Sequence, residues 1–179
     1  VLPSILLAAG LELPRQIFVH GFVNVSGEKL SKSKGVKIDP SMLVDKFGAD
    51  ALRYFLIREI PYGEDGNFSE EALIKRINND LANDLGNLLA RTLTMIEKYF
   101  SGSIPAACEI TRLDKELMQI GGETVGKVVE HFRCLRLGEA LTCIWKLINR
   151  SNKYIEETKP WNLAKEEKGK KRLGTVLYQ

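Results

Sequence analysis

A run of lysine and serine near the start of the chain is the segment best suited to phosphate chemistry. It follows a Ser-Gly turn at 26–27 and consists of Lys29, Leu30, Ser31, Lys32, Ser33, Lys34 and Gly35. Ammonium groups, hydroxyls and exposed backbone donors together can hold a polyphosphate. A loop that closes over a departing pyrophosphate stabilises the transition state more than the ground state. Composition alone favours a solvated turn over a phosphate-binding loop.

A second candidate site combines an amide, a guanidinium and an indole. Asn87 and Arg91 are four residues apart, so on a helix they share one face. Trp161 follows the helix-ending Pro160, which places its ring at the tip of a helical bundle. An amide and a guanidinium can bind base edges while an indole stacks on an unpaired base. The structural alternative gives Asn87 and Arg91 ordinary helix-surface contacts and makes Trp161 a cap on the core.

Three helical stretches would position the second site. From Ser69 to about Tyr99, apolar residues recur at steps of three and four, which predicts one long helix with Ser69 as its N-cap. Phe68 is expected to pack against Leu73, and the helix should end near residues 101–102. Further helices are predicted over about 113–135 and 138–158, the second ended by Pro160, with another helix beginning at 173.

The stretch before these helices reads as an α/β segment. A short helix is expected over 1–10, a buried strand over 16–20, and a second strand at Val23 and Val25 before the turn at 26–27. Asp39 and Pro40 are expected to open a helix, followed by another over about 50–58 and a loop over 61–66.

Composition limits the class of protein. The 179 residues suffice for one or two domains, and 44% hydrophobic with 27% charged residues is ordinary for a folded globular chain. A net charge of +3 permits an anionic partner without requiring one. No apolar run is long enough to span a membrane. Cys108, Cys134 and Cys143 form no zinc-binding pair, and we expect them to be reduced and buried in a cytoplasmic protein.

These motifs carry a family resemblance. The lysine-serine run resembles the Lys-Met-Ser-Lys-Ser signature of class I aminoacyl-tRNA synthetases, with Leu30 in place of Met. The His-Gly-Phe sequence at 20–22 lies upstream at the spacing of that family, and residues 40–58 continue the resemblance. Segments 87–91 and 152–161 resemble the two anticodon-recognition elements of methionyl-tRNA synthetases. Leucyl-, isoleucyl-, valyl- and cysteinyl-tRNA synthetases share the class I loop and are the closest competitors.

The resemblance implies roles for individual residues. ATP, with Mg²⁺ in the parent enzyme, and tRNA(Met) are the implied partners, and no metal ligand is expected in this chain. Lys32, assisted by Lys29, would be catalytic by contacting the ATP phosphates. The implied ATP-binding set is His20, Gly21, Lys29, Leu30, Ser31, Lys32 and Ser33. The implied anticodon-binding set is Asn87, Arg91, Glu156, Pro160 and Trp161, in which Glu156 would repel incorrect tRNAs.

The fold class expected from the resemblance is mainly α. It is an antiparallel helical bundle of the class I anticodon-binding type, preceded by a short α/β remnant of the Rossmann-like catalytic domain. The expected divisions are a catalytic remnant over 1–36, a stem-contact segment over 37–68 and a truncated helical bundle over 69–179. As a C-terminal fragment, the chain alone is expected to be inactive. The alternative is a non-catalytic RNA-binding helical module, although such a module would have no use for a pyrophosphate-binding loop.

Overall fold

The fold is that of a computed structural model, which describes residues 1–25, 38–61 and 63–179, and the backbone alone at 28–29. Helix α1 (Leu2–Ala8) is followed by Gly10 in the left-handed region at a φ of 69°, as expected for a helix ended by glycine. Residues 11–22 then form neither helix nor strand.

A small mixed sheet follows. Its strands are β1 (Val23–Val25), β2 (Glu28–Lys29) and β3 (Gly66–Phe68), in the order β2-β1-β3. Strand β1 pairs antiparallel with β2 and parallel with β3. Its inner face packs on two helices, and the buried residues of this core are Val25, Leu52, Phe55, Phe68 and Leu73. The sheet is therefore a support for the helices around it.

The helices at the sheet begin where the sequence predicts. Helix α2 (Pro40–Phe47) is capped by Asp39, whose carboxylate accepts a hydrogen bond from the Ser41 amide at 2.9 Å. After Gly48, helix α3 (Ala49–Glu59) contributes Leu52 and Phe55 to the core.

The predicted long helix is continuous but changes its hydrogen-bonding pattern midway. It consists of α4 (Glu70–Arg76), a π-helical segment (Ile77–Gly86) and α5 (Asn87–Phe100). The Ser69 hydroxyl oxygen accepts from the Ala72 amide at 3.1 Å, which confirms the predicted cap. Ser101 ends α5 in the left-handed region at a φ of 52°.

The remaining secondary-structure elements are helices. They form α6 (Arg112–Arg133), α7 (Leu137–Thr158), α8 (Pro160–Leu163), a 3₁₀ turn (Glu167–Gly169) and α9 (Lys170–Tyr178). Helices α6 and α7 are joined by a tight connection and pack against each other along their lengths. One core under them contains Leu117, Tyr154, Ile155 and Val176, and a second joins Ile96 of α5 to Leu173 and Leu177 of α9.

The structure corrects several sequence predictions. The predicted fold class is wrong in its α/β part, because the described strands are only two or three residues long and form a mixed sheet, not a remnant of a Rossmann-like parallel sheet. The strand expected over 16–20 is absent from the described residues, and Ile17, Phe18 and Val19 are exposed. The cysteines are not buried, since Cys108 and Cys134 are exposed and Cys143 is partly exposed; all three are free thiols.

Candidate nucleic-acid interface

Arg91 and Trp161 come together from different helices. The Trp161 ring is positioned by Lys159, which ends α7 in the left-handed region at a φ of 47°, and by Pro160, which is buried as the first residue of α8. The Arg91 guanidinium carbon lies 5.9 Å from the centroid of the Trp161 ring. That distance allows a cation–π interaction, which limits the orientations open to both side chains.

A shallow cavity of about 310 Å³ opens beside this pair. It is lined by Ala90, Arg91, Thr94, Met95 and Trp161. Trp161 is 41% exposed, so part of its indole remains available to a ligand. The cavity thus offers an aromatic ring, a guanidinium and apolar side chains to a flat ligand.

Asn87 and Glu156 lie outside this cavity. Asn87 is exposed at the first position of α5, one turn before Arg91, and belongs to the same side of that helix. Glu156 is exposed near the end of α7. We refer to Asn87, Arg91 and Trp161 as the recognition cluster.

A buried ionic network, which sequence analysis did not identify, surrounds Asp80 in the helical segment that precedes Asn87 in the chain. Asp80, in the π-helical segment, is 6% exposed. Its Oδ2 accepts a hydrogen bond from the Tyr54 hydroxyl at 2.6 Å and from Arg76 Nη1 at 3.4 Å, and lies 3.5 Å from Arg58 Nε. Burial raises the pKa of Tyr54, and the hydrogen bond to Asp80 raises it further, so its phenol stays protonated as a donor.

Other contacts tie this network to three helices. Arg76 Nε donates to Glu59 at 2.6 Å, and this hydrogen bond raises the pKa of Arg76. Arg58 Nη1 donates to Thr142 of α7 at 3.1 Å. The Tyr54 ring lies 4.8 Å from that of Trp145, centroid to centroid. A single aspartate in an amphipathic helix gives little sequence signal. Only the contacts with Tyr54 and Arg58 of α3 show that Asp80 is the centre of a buried network.

The predicted phosphate-binding set is described only in part. The backbone of Lys29 pairs with Asn24 in the sheet. The Lys29 side chain and all of Leu30, Ser31, Lys32 and Ser33 lie outside the described residues. Their roles stay predictions.

His20 and Gly21 are described, and they lie just before β1, the central strand of the sheet. His20 Nδ1 donates to the Gly21 carbonyl oxygen at 2.8 Å, which requires a proton on Nδ1. A Cβ on Gly21 would lie 1.8 Å from the Glu64 carbonyl oxygen, so only glycine fits this backbone crossing. Both residues line a cavity of about 240 Å³ together with Leu56, Ile60 and other apolar side chains.

The described part of the chain contains neither a metal-binding cluster nor a membrane-spanning helix. No cluster of three or more histidine, cysteine, aspartate or glutamate side chains among residues 1–25, 38–61 and 63–179 could hold a metal ion. In the same part of the chain, each helix is too short or too polar to cross a membrane.

Comparison with known proteins places the chain in a family. Residues 1–93 match the family model described as tRNA synthetases class I (M), and the chain belongs to this family. The relatives it resembles are methionine–tRNA ligases. It is 55% identical over 176 residues to that of Caldanaerobacter subterraneus and 56% identical over 176 residues to that of Clostridium perfringens, with 98% of this chain covered in each. It spans only 28% and 27% of these two relatives.

Solved structures agree with the sequence relatives. The chain superposes on Mycobacterium tuberculosis methionyl-tRNA synthetase in complex with methionyl-adenylate with a TM-score of 0.91 at 43% identity, covering 98% of this chain and 35% of that protein. The apo form of the same enzyme gives a TM-score of 0.86 at 40% identity, covering 99% of this chain and 34% of that protein. These findings confirm the resemblance to methionyl-tRNA synthetases.

The family match also corrects the predicted fold class. That prediction combined a bundle of the class I anticodon-binding type with a short Rossmann-like remnant before it. The class I family model instead runs through α4 and the π-helical segment into α5, so the match is not confined to the residues before the helices. The described chain is helical with little sheet.

Proposed function

We propose that this chain works in a methionine–tRNA ligase and contributes to reading the anticodon of tRNA(Met). The parent reaction would activate methionine with ATP and transfer it from methionyl-adenylate to the tRNA. This reaction is supported by the similarity of the chain to methionine–tRNA ligases. The observation that supports the RNA-reading role is the approach of Arg91 to the half-exposed Trp161 ring, at 5.9 Å from its centroid.

The recognition cluster has the chemistry for single-stranded bases. An unpaired base would stack on the exposed part of the Trp161 indole and gain apolar contact with the cavity wall. Arg91 has donors for base acceptors or a phosphate, and the Asn87 amide has both a donor and an acceptor. In this proposal an unpaired loop binds across α5 and α8.

Glu156 contributes to discrimination under the same proposal. Its carboxylate is exposed on α7, five residues before Trp161, and carries the charge of a phosphate. A loop that brings its backbone close to this carboxylate is repelled, whereas a correctly seated loop avoids it. Pro160 supports the indole through backbone geometry, because its buried ring begins α8.

The lysine-serine run would serve the activation step. In this proposal Lys29 and Lys32 stabilise the charge that develops on pyrophosphate as the methionine carboxylate attacks the α-phosphate of ATP. Leu30, Ser31 and Ser33 shape the loop, and His20 and Gly21 form the nearby end of the nucleotide site. This assignment rests on the family signature in the sequence.

The RNA-reading role is tested by fluorescence anisotropy at fixed salt with this 179-residue chain. One labelled stem-loop carries the anticodon CAU, and a second carries a scrambled loop on the same stem. We expect the chain to prefer CAU and Trp161→Ala to lose that preference. Phe132→Ala is the matched control, since Phe132 is an exposed aromatic residue on α6, 55% accessible and remote from the recognition cluster in sequence.

The outcomes separate the two functional classes. A CAU preference that depends on Trp161 supports the methionine assignment. Equal and salt-sensitive binding of both loops by a chain with intact helical circular dichroism would favour the general RNA-binding module. Loss of preference in Phe132→Ala as well would show that the effect is not specific to the recognition cluster.

A further inference from the structure

The π-helical segment ends directly before the recognition cluster. It covers Ile77–Gly86, and Asn87 is the first residue of α5. A π-helix closes i to i+5 hydrogen bonds, so each residue turns the chain by a smaller angle than in an α-helix. Over ten residues this difference redirects every side chain that follows. The face on which Asn87 and Arg91 lie therefore depends on the register of this segment.

Asp80 is the anchor of that segment to the rest of the molecule. Its buried carboxylate contacts Tyr54 and Arg58 of α3 and Arg76 of α4. An α-helical register would turn Asp80 by a larger angle from α4 and move its carboxylate relative to Tyr54 and Arg58 of α3, although the i,i+4 spacing would still bring Arg76 near. Removing one partner from a buried ionic network leaves the remaining charges without compensation. The network thus favours the π register.

A second contact joins the segment to α7. The Asn152 side-chain amide donates to the main-chain carbonyl oxygen of Asp84 at 3.1 Å. Because α7 leads through Lys159 and Pro160 to Trp161, this hydrogen bond fixes the segment relative to the indole. The π-helical segment therefore positions both parts of the recognition cluster: Asn87 and Arg91 through α5, and Trp161 through α7.

Gly86 supplies independent support at the end of the segment. A Cβ at this position would lie 3.0 Å from the carbonyl oxygen of Leu81, five residues earlier. That is the carbonyl approached in i to i+5 geometry, so a side chain here would crowd the π register. Glycine at this position is compatible with the observed geometry.

We infer that Asp80 is a positioning residue for base recognition, which holds the π-helical segment in the register that directs Asn87 and Arg91 toward the site completed by Trp161. This inference rests on the proposed RNA-reading function and deepens it. Asp80 touches no RNA in this arrangement. It acts through the direction of α5, so its loss lowers discrimination between loops more than it lowers general electrostatic binding.

The test compares CAU and scrambled stem-loops in the 179-residue chain and its Asp80→Asn variant. We expect the ratio of the two dissociation constants to fall about tenfold, because a misdirected contact loses base-specific interactions and keeps phosphate attraction. Asp114→Asn is the matched control. Asp114 is also buried and bound to a tyrosine and an arginine, but its hydrogen bonds and ion pair join α6 to α7 and α9 and not to the π-helical segment.

Gly86→Ala is a second variant, which leaves the Asp80 network chemically intact. We expect it to lower the CAU ratio as well, and it decides the matter if Asp80→Asn shows no helical circular dichroism. A wild-type ratio in both folded variants overturns the inference alone, as does an equal loss in Asp114→Asn. Absence of a CAU preference in the unsubstituted chain overturns the proposed function, and this inference with it.

Discussion

The Arg91 guanidinium faces the Trp161 indole at 5.9 Å, although the two residues lie on α5 and α8 and are far apart in sequence. The contact places a cation against the ring that would receive a base. A prepositioned pair spends less conformational entropy when a ligand binds than two freely rotating side chains do. The geometry of the pair, as well as its charge, should therefore affect base selection.

Arg91→Lys separates geometry from charge. Lysine keeps the positive charge but has neither the planar stacking surface nor the fork of donors. We expect the CAU preference to fall while the slope of log affinity against log salt stays the same, because phosphate neutralisation depends on charge. Anisotropy titrations at several salt concentrations measure both. Lys98→Ala, at an exposed position on the same helix, is the control and should keep the preference.

Asp114 should make the stability of the helical part depend on acid. Burial raises the pKa of this carboxyl, but hydrogen bonds from Arg172, Thr111 and Tyr154 lower it more, giving about 2 against an ordinary value of 3.8. A depressed pKa contributes stability that is fully present above 3.8 and is lost as pH falls toward 2. The shift corresponds to about 2 kcal/mol.

Urea unfolding at pH 7, 5, 3.5 and 2.5 measures this contribution. We expect the free energy of unfolding to fall between pH 5 and 2.5, and Asp114→Asn to remove much of that dependence while lowering stability at pH 7. An unchanged pH dependence in Asp114→Asn would exclude this carboxylate as its source. Arg172 is the main partner, with Nη1 2.8 Å from Asp114 Oδ2.

Gly21 should tolerate no side chain. The methyl group of Gly21→Ala would overlap the Glu64 carbonyl oxygen, so one of the two backbone segments would have to move. Overpacking of this kind typically costs about 1–3 kcal/mol. Gly122→Ala is the control, because a Cβ there meets nothing within 4 Å and lies on a helix. It should stabilise the chain by up to about 1 kcal/mol, and thermal unfolding of both variants would measure the contrast.

Lys32 should affect the activation step in a methionine–tRNA ligase that contains this segment. Lys32→Ala is expected to slow methionine-dependent pyrophosphate exchange by about a hundredfold or more while leaving methionine affinity nearly unchanged, because the lost charge acts in the transition state. Lys168→Ala, which removes an exposed lysine of the 3₁₀ turn outside the lysine-serine run, is the control and should keep the exchange rate. A normal exchange rate in Lys32→Ala would overturn the assignment.

Local signals made most of the helices predictable. Ser69 caps α4 and Asp39 caps α2 through side-chain hydrogen bonds to nearby amides, and both depend only on adjacent residues. Pro160 likewise follows directly on the end of α7. Each of these features depends on a few consecutive residues, so periodicity and capping rules suffice to predict them.

Features that depend on distant contacts were not predictable in this way. The register of the π-helical segment depends on Asp80 meeting Tyr54, 26 residues earlier in the chain. Residues 16–20 have the composition of a strand but form no strand, because strand formation depends on a second segment that composition does not specify. The recognition cluster was predictable as a set of residue types, whereas the distance between Arg91 and Trp161 required the fold.

The number of residues in the π-helical segment, and not only their identities, sets the direction of the side chains on α5. Deleting one residue within Ile77–Gly86 would rotate Asn87 and Arg91 around the helix axis by the turn of one π-helical residue, which is smaller than the roughly 100° of an α-helical residue, even with every other side chain retained. A deletion in the connection between α5 and α6 would leave that angle untouched. For protein engineering, insertions and deletions belong in the connection between α5 and α6. The length of the ten-residue segment before Asn87 should be kept.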